Sequence, residues 1–233
     1  MKNIKVLVLL ALFSFGAANA QEAEQAKQND DPMANLEKVK TSFRESFVLP
    51  GFDFSKYDKL YLWEATFEYR DVGPARRYRG TIMNTTRKRE FGILDSDRKK
   101  FEDTVSEIFL EEVGKSKRFT VVDEIVKGST LILRGGVLDV ISKVPPETIG
   151  RSETYLASVG EATLVIELLD PETGEIVALA AERRQIASSG TNTLDAFTMP
   201  ANSVTVWAEV RRWARRAAKK LRTELDKSCL LYT

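Results

Sequence analysis

The spacing of apolar residues predicts two amphipathic helices, one near the middle of the chain and one near its end. The first would begin at Asp95, a residue suited to an N-cap, and end near Gly114 and the basic residues that follow it. The second would run from about Ser203 to Asp226. Their apolar stripes recur every three or four residues: Phe101, Val105, Ile108, Phe109 and Val113 in the first, and Val206, Trp207, Val210, Trp213, Ala214, Ala217, Leu221 and Leu225 in the second.

Alternation with a period of two predicts strands between and before these helices. The strands would cover Lys59–Tyr69, Phe119–Glu124, Thr130–Val144, Ala162–Leu169 and Ile176–Ile186. The last two are separated by the sequence Asp-Pro-Glu-Thr-Gly-Glu, which predicts a hairpin turn. Gly135-Gly136 lies inside the predicted strand Thr130–Val144 without the spacing of a phosphate loop, so we interpret the pair as a β-bulge.

This order of elements predicts an α+β fold, with a twisted, mainly antiparallel sheet of about five strands and two helices packed on one face. The predicted organisation is a signal peptide over 1–20, a disordered or partly helical tail over 21–46, one domain over 47–227 and a short tail over 228–233. Within that N-terminal tail, apolar residues between Met33 and Phe47 fit either a short amphipathic helix or an ordered lead-in to the domain.

The first twenty residues indicate export. Lys2 and Lys5 precede an uncharged run from Val6 to Gly16, and Ala18-Asn19-Ala20 has the pattern of small residues that signal peptidase recognises. The run is shorter than the roughly 20 residues that span a bilayer, which favours cleavage between Ala20 and Gln21. We therefore expect a periplasmic or secreted protein.

Four stretches resemble a family of uncharacterised Gram-negative envelope proteins, a domain of unknown function. They are Gly51–Leu60 (GFDFSKYDKL), Leu131–Val140 (LILRGGVLDV), Ala162–Leu169 with its following turn, and Trp207–Asp226. The resemblance covers roughly Phe47 to Asp226. It implies an envelope protein of a family without an assigned function, and many members look like lipoproteins. This chain departs from them because it has no cysteine near the predicted cleavage site.

Composition removes many kinds of catalytic site. The chain has no histidine, which excludes histidine triads and histidine metal ligands, and its single cysteine, Cys229, cannot form an intramolecular disulfide or a thiolate zinc site. We predict no cofactor. An enzyme that uses carboxylates alone stays open, because Glu64, Glu68, Asp139, Glu167 and Glu182 lie in predicted strands. Solvated strand residues are the interpretation we prefer.

The last helix carries the candidate binding residues. Arg211, Arg212, Arg215 and Arg216 lie on its polar face and could bind the phosphate groups of anionic lipid or lipopolysaccharide. A solvated face is the preferred alternative. Six basic residues between Arg76 and Arg89 would strengthen the binding hypothesis if they lay beside this helix. Acidic and basic residues nearly balance in the mature chain, which argues against nucleic acid.

The function that these patterns favour is a non-catalytic binding or assembly module of the bacterial envelope, with an envelope protein as its partner. The alternatives are a carboxylate-only enzyme and a peripheral binder of anionic lipid or lipopolysaccharide. A pocket where carboxylates converge, at least one with a strongly raised pKa, would favour the enzyme. A flat apolar or basic surface would favour the module.

Overall fold

A computed structural model describes residues 33–72, 90–145, 155–187 and 199–227 of the chain. Both predicted helices are present, α1 over Asp95–Val113 and α2 over Ser203–Lys227, and a short 3₁₀ turn covers Phe54–Lys56. The strands are β1 Glu37–Lys38, β2 Glu45–Val48, β3 Lys59–Leu62, β4 Thr66–Tyr69, β5 Thr120–Val122, β6 Thr130–Ser142, β7 Tyr155–Leu156, β8 Gly160–Leu169, β9 Ile176–Ile186 and β10 Met199–Pro200.

The main sheet confirms the α+β class and has more strands than the five expected. Eight strands join in the order β1-β2-β9-β8-β6-β3-β5, with β4 also paired to β6, and β7 and β10 form a separate two-stranded sheet. Along the sheet, the neighbouring strands β1, β2, β9, β8 and β6 are antiparallel. β6 pairs in parallel with β3 and with β4, and β3 pairs in parallel with β5. The sheet is therefore mixed. The helix α1 connects β4 to β5 as the crossover that parallel strands require.

The single long strand predicted over Lys59–Tyr69 is wrong, because the chain forms two strands there. Leu62 pairs with Leu133 and Thr66 pairs with Gly136, so this segment advances four residues while β6 advances three. The extra residue cannot pair with β6, so the strand is interrupted between Leu62 and Thr66. Both halves then follow the same edge of β6, one after the other.

The N-terminal segment is extended, so the helical alternative for it is wrong over the described residues. β1 and β2 pair with each other, and β2 pairs with β9 at the edge of the sheet. Phe43 is buried in the core, whereas Phe47 lies opposite Leu179 on the other side of the sheet. In one continuous strand a four-residue spacing would place both rings on the same face, but Phe43 lies in the bend before β2, so the two phenylalanines lie on opposite faces of the sheet. The lead-in alternative agrees with the structure.

The bulge assigned to Gly135-Gly136 lies a few residues further along β6. Gly135 and Gly136 pair regularly with Ile166 and Val165, while the register shifts between Leu138 and Ile141. Asp139 lies in this shift with a φ of 53°, the only non-glycine residue with positive φ among the described residues. Aspartate tolerates this left-handed conformation better than most residues, because its short side chain can form local hydrogen bonds.

The two helices lie side by side and run in the same direction over one face of the sheet. The rings of Phe101 in α1 and Trp213 in α2 stack with centroids 6.2 Å apart. Further along, Glu112 in α1 accepts a hydrogen bond from Arg222 in α2 at 3.1 Å. Beneath the helices lie the most deeply buried aliphatic side chains of the strands, among them Leu60, Leu131 and Val177. The prediction that both helices cover one face is confirmed.

Candidate functional site

The sheet face opposite the helices, called here the outer face, presents apolar and aromatic side chains. Because successive residues of a strand point to opposite faces, each core residue alternates with one that points outward. Leu60 and Leu131 face the core, so the neighbouring Tyr61 and Ile132, which pair with each other, face outward. By the same register the outer face includes Phe47, Tyr61, Trp63, Ile132, Val165, Leu169, Leu179 and Ala181.

No described element covers these outward-facing residues. None of them belongs to the core cluster or packs against it. Trp63 is 54% exposed, and its ring meets that of Tyr61 edge to face at a centroid distance of 6.3 Å. Trp63 is exposed and the other apolar residues of the outer face are half-buried. Aromatic side chains that are open to solvent are enriched at protein contact surfaces.

The charged groups on the outer face pair with one another. Arg134 donates to Glu167 at 2.5 Å across β6 and β8. At the bulge end of the sheet, Arg70 donates to both carboxylate oxygens of Asp139, at 2.7 and 2.5 Å, and Arg183 donates to Asp139 at 2.5 Å.

Arg70 and Arg183 each form a further ion pair. Arg70 also donates to Glu90 at 2.8 Å. Arg183 also donates to Glu161 at 3.2 Å, and Glu161 in turn binds Lys143. The six residues Glu90, Arg70, Asp139, Arg183, Glu161 and Lys143 form what we call the ion-pair ladder. Since charges of both signs alternate along it, the ladder leaves little field for a charged ligand.

Two carboxylates of this ladder have lowered pKa values. Hydrogen bonds from Arg70 and then Arg183 lower the pKa of Asp139 to about 2. Hydrogen bonds and the charge of Lys143, with Arg183, lower the pKa of Glu161. A general acid needs the opposite shift, because its proton must stay bound near neutral pH.

The strand carboxylates singled out from the sequence do not converge. Glu182 faces the helices and binds Lys220 at 2.6 Å, whereas Asp139 and Glu167 lie on the outer face in separate ion pairs. Glu64 and Glu68 are exposed, one in the break before β4 and the other within it. Among the described residues, no group of three or more metal-ligating side chains comes together.

The arginines of α2 divide into two kinds. Arg212 pairs with Glu209 in the same helix, and Arg216 donates to the backbone oxygen of Ala187 at 2.7 Å. Arg211 and Arg215 are exposed and form no ion pair within the described ranges. Two of the four residues proposed from the sequence thus already bind groups of the protein itself.

Acidic groups of α1 lie close to the exposed arginines. The charge of Arg215 contributes, after the hydrogen bond and charge of Lys115, to a lowered pKa of Glu111 in α1. The basic face therefore borders negative charge, which weakens its attraction for anionic surfaces. The loop cluster between Arg76 and Arg89, the cleavage site at Ala20 and Gln21, and Cys229 all lie outside the described residues.

The chain is similar in structure, at low identity, to several bacterial proteins. A Xanthomonas campestris protein of the DUF330 family is 18% identical over 83% of this chain and 91% of its own, with a TM-score of 0.32. The PelC dodecamer from Paraburkholderia phytofirmans is 10% identical over 79% and 96%, with a TM-score of 0.33. A putative neuraminyllactose-binding hemagglutinin homolog from Helicobacter pylori is 13% identical over 76% and 84%, also with a TM-score of 0.33.

These similarities are too low to assign the chain to a family. No family model and no curated protein matches the sequence. The Xanthomonas protein itself belongs to a family of unknown function. None of the helices in the described ranges is long and apolar enough to cross a membrane.

Proposed function

We propose that the protein is an exported, non-catalytic module of the bacterial cell envelope that binds another envelope protein through the outer face. The observation that carries this proposal is the exposed Trp63, which lies with Tyr61 on an apolar sheet face that no described element covers. Tryptophan and tyrosine are enriched at the energetic centres of protein interfaces. The N-terminal signal pattern supports export, and it rests on the sequence alone.

The charges on the outer face favour a protein partner over an anionic lipid. Arg134 and the ladder arginines Arg70 and Arg183 are already bound to carboxylates, so they offer no excess of positive charge to phosphate groups. Apolar surface between paired charges matches the centre and rim of a protein interface. The exposed arginines of α2 lie on the opposite side of the sheet and contribute nothing here.

The carboxylate-only enzyme has less support from the described residues. The cavity found there is lined mainly by apolar side chains, with Glu224 as its one carboxylate. Each carboxylate with a resolved pKa shift, namely Asp53, Asp58, Glu111, Asp139 and Glu161, has that pKa lowered and not raised. These environments favour the ionised form, which cannot donate a proton.

Site-specific photocrosslinking in the native envelope tests the proposal. A photoreactive phenylalanine derivative would replace Trp63 in one strain and Leu110 in another. Leu110 is a matched control because it is 55% exposed, almost the same as Trp63, but lies on α1 on the other side of the sheet. We expect one discrete adduct from position 63, an envelope protein by mass spectrometry, and none from position 110.

A second variant separates contact from folding. Tyr61→Ser in the strain with the probe at position 63 should reduce the adduct, while the thermal midpoint of the purified protein changes little, since Tyr61 is outside the core. Equal labelling from positions 63 and 110, or an adduct that consists of lipid, would contradict the proposed interface.

A further inference from the structure

A cavity of about 120 Å³ lies mainly on the helix side of the sheet. Its walls come from β2 and the segment that precedes it, from the 3₁₀ turn at Phe54, from β8 and β9, and from the last turns of α2. Most of the lining is hydrocarbon, with side chains from Phe43, Phe54, Ile166, Leu168, Leu221 and Leu225. An engineered cavity of about 150 Å³ with similar walls stays dry and binds benzene, so this one is of a size for a small apolar group.

Two hydroxyl groups form a polar site in the cavity wall. Thr41 and Ser46 both line it, and their oxygen atoms are 2.6 Å apart. Thr41 Oγ1 also accepts a hydrogen bond from the backbone N–H of Phe43 at 3.1 Å. Ser46 is buried, so its hydroxyl has little access to bulk water.

Counting protons shows that one hydroxyl is left to donate. Two hydroxyls carry two protons, and only one proton can lie in the hydrogen bond between Thr41 and Ser46. Neither hydroxyl has a second acceptor within the described ranges. Whichever residue donates to the other, one O–H in the cavity wall stays available to an acceptor atom.

The charged residues at the cavity do not add a second recognition element. Glu224 pairs with Lys227 at 3.3 Å, one turn along α2. Lys40 is exposed. A ligand would therefore be chosen by its apolar volume and by one acceptor, which is a common arrangement for small-molecule sites.

We propose that this cavity binds a small neutral compound with one compact hydrocarbon group and one carbonyl or ether oxygen, which accepts the hydrogen bond from the Thr41–Ser46 pair. The hydrocarbon group lies among Phe43, Ile166 and Leu225. The site does not require the partner proposed for the outer face, although Phe47 and Leu179 line the cavity and also belong to that face.

Methyl NMR titration of the full chain tests the site with two probes, cyclopentanone and methylcyclopentane. The probes have similar shapes, but only the ketone has an acceptor. We expect both to shift the methyl signals of Ile166 and Leu221, which line the cavity, and not those of the remote Leu110.

Two variants separate the hydrogen bond from the volume. Thr41→Val with Ser46→Ala removes both hydroxyls, and it should raise the Kd for cyclopentanone about 2- to 10-fold while leaving the Kd for methylcyclopentane unchanged. Ala180→Leu adds three carbons to the lining and should abolish binding of both probes.

Three results would overturn the proposal. The first is the absence of shifts in the unaltered chain. The second is an equal loss of both probes in the hydroxyl-free variant, which would show that no hydrogen bond selects the ketone. The third is binding by a chain that ends at Lys227 when the full chain does not bind, because the occupant would then be the chain's own C-terminal residues.

Discussion

Replacing Trp213 by alanine should be among the most destabilising single changes in the chain. Trp213 is 3% exposed and stacks on Phe101, so it joins the two helices to each other and to the sheet beneath them. Truncation of a buried tryptophan to alanine costs about 3 to 5 kcal/mol in the free energy of unfolding. For a domain of this size, that loss lowers the thermal midpoint by about 6 to 20 °C.

The indole nitrogen of Trp213 refines this expectation. Nε1 is buried and has no hydrogen-bond partner within the described ranges. A buried donor without a partner is unfavourable by about 1 to 3 kcal/mol, so Trp213→Phe loses ring volume but also removes that penalty. We expect Trp213→Phe to cost below about 2 kcal/mol, well under the cost of alanine.

Trp63 supplies the matched control. Its ring lies on the outer face, and Trp63→Ala should change the free energy of unfolding by under about 0.5 kcal/mol. Urea denaturation followed by far-UV circular dichroism measures all three variants without relying on tryptophan fluorescence. The proposed packing of α2 would be refuted if Trp213→Ala unfolded within experimental error of the parent, or if Trp63→Ala were the more damaging of the two alanine changes.

Four further predictions concern single sites. A Cβ added to Gly160 would lie 2.4 Å from the backbone oxygen of Ile141, so Gly160→Ala should lower the free energy of unfolding, measured by urea denaturation, by about 1 to 3 kcal/mol. Gly135→Ala is the control, because nothing lies within 4 Å of an added Cβ there and no clash should destabilise the protein. The lowered pKa of Asp139 stabilises the fold above pH ~4, and this stability is lost as the pH falls towards 2. The contribution is under about 1 kcal/mol, because the side chain of Asp139 is 38% exposed. Asp139→Asn should therefore make the free energy of unfolding depend less on pH in this range. The chain should show no salt-sensitive retention on anionic vesicles, and retention at low salt that Arg211→Glu with Arg215→Glu abolishes would restore the lipid alternative. Intact-mass analysis of the exported protein should show a chain that begins at Gln21, and a mass that includes residues 1–20 or a lipid would contradict the predicted processing.

The local elements were predictable because local spacing determines them. The stripe from Phe101 to Val113 predicts α1 and its end near Gly114, and the turn at residues 170–175 predicts the hairpin of β8 and β9. The N-cap of α1 is Leu94, which forms no side-chain cap hydrogen bond, so the prediction of Asp95 as the cap is wrong. Gly174 in that turn adopts a φ of 73°, which glycine accommodates without steric cost. These features depend on residues that are close in sequence.

The features missed from the sequence depend on pairing between distant segments. The break after Leu62 follows from a mismatch with β6, some 70 residues later in the chain. The ion-pair ladder joins Arg70, Asp139 and Arg183, which follow β4 or lie in β6 and β9. They are neighbours only because β4 pairs with β6, and β8 pairs with both β6 and β9, in a specific register. Tyr61 and Trp63 are two residues apart, which places both rings on one face of a strand, but only the sheet order shows that this face is opposite the helices.

The order of the strands also bears on when the chain can fold. Phe47 in β2 pairs with Leu179 in β9, more than 130 residues later, so the N-terminal edge cannot close until the hairpin of β8 and β9 is complete. Contacts over such distances form slowly, because the entropy of closing the loop is lost before they contribute. The pairing of β2 with β9 is therefore expected to be a late step in folding.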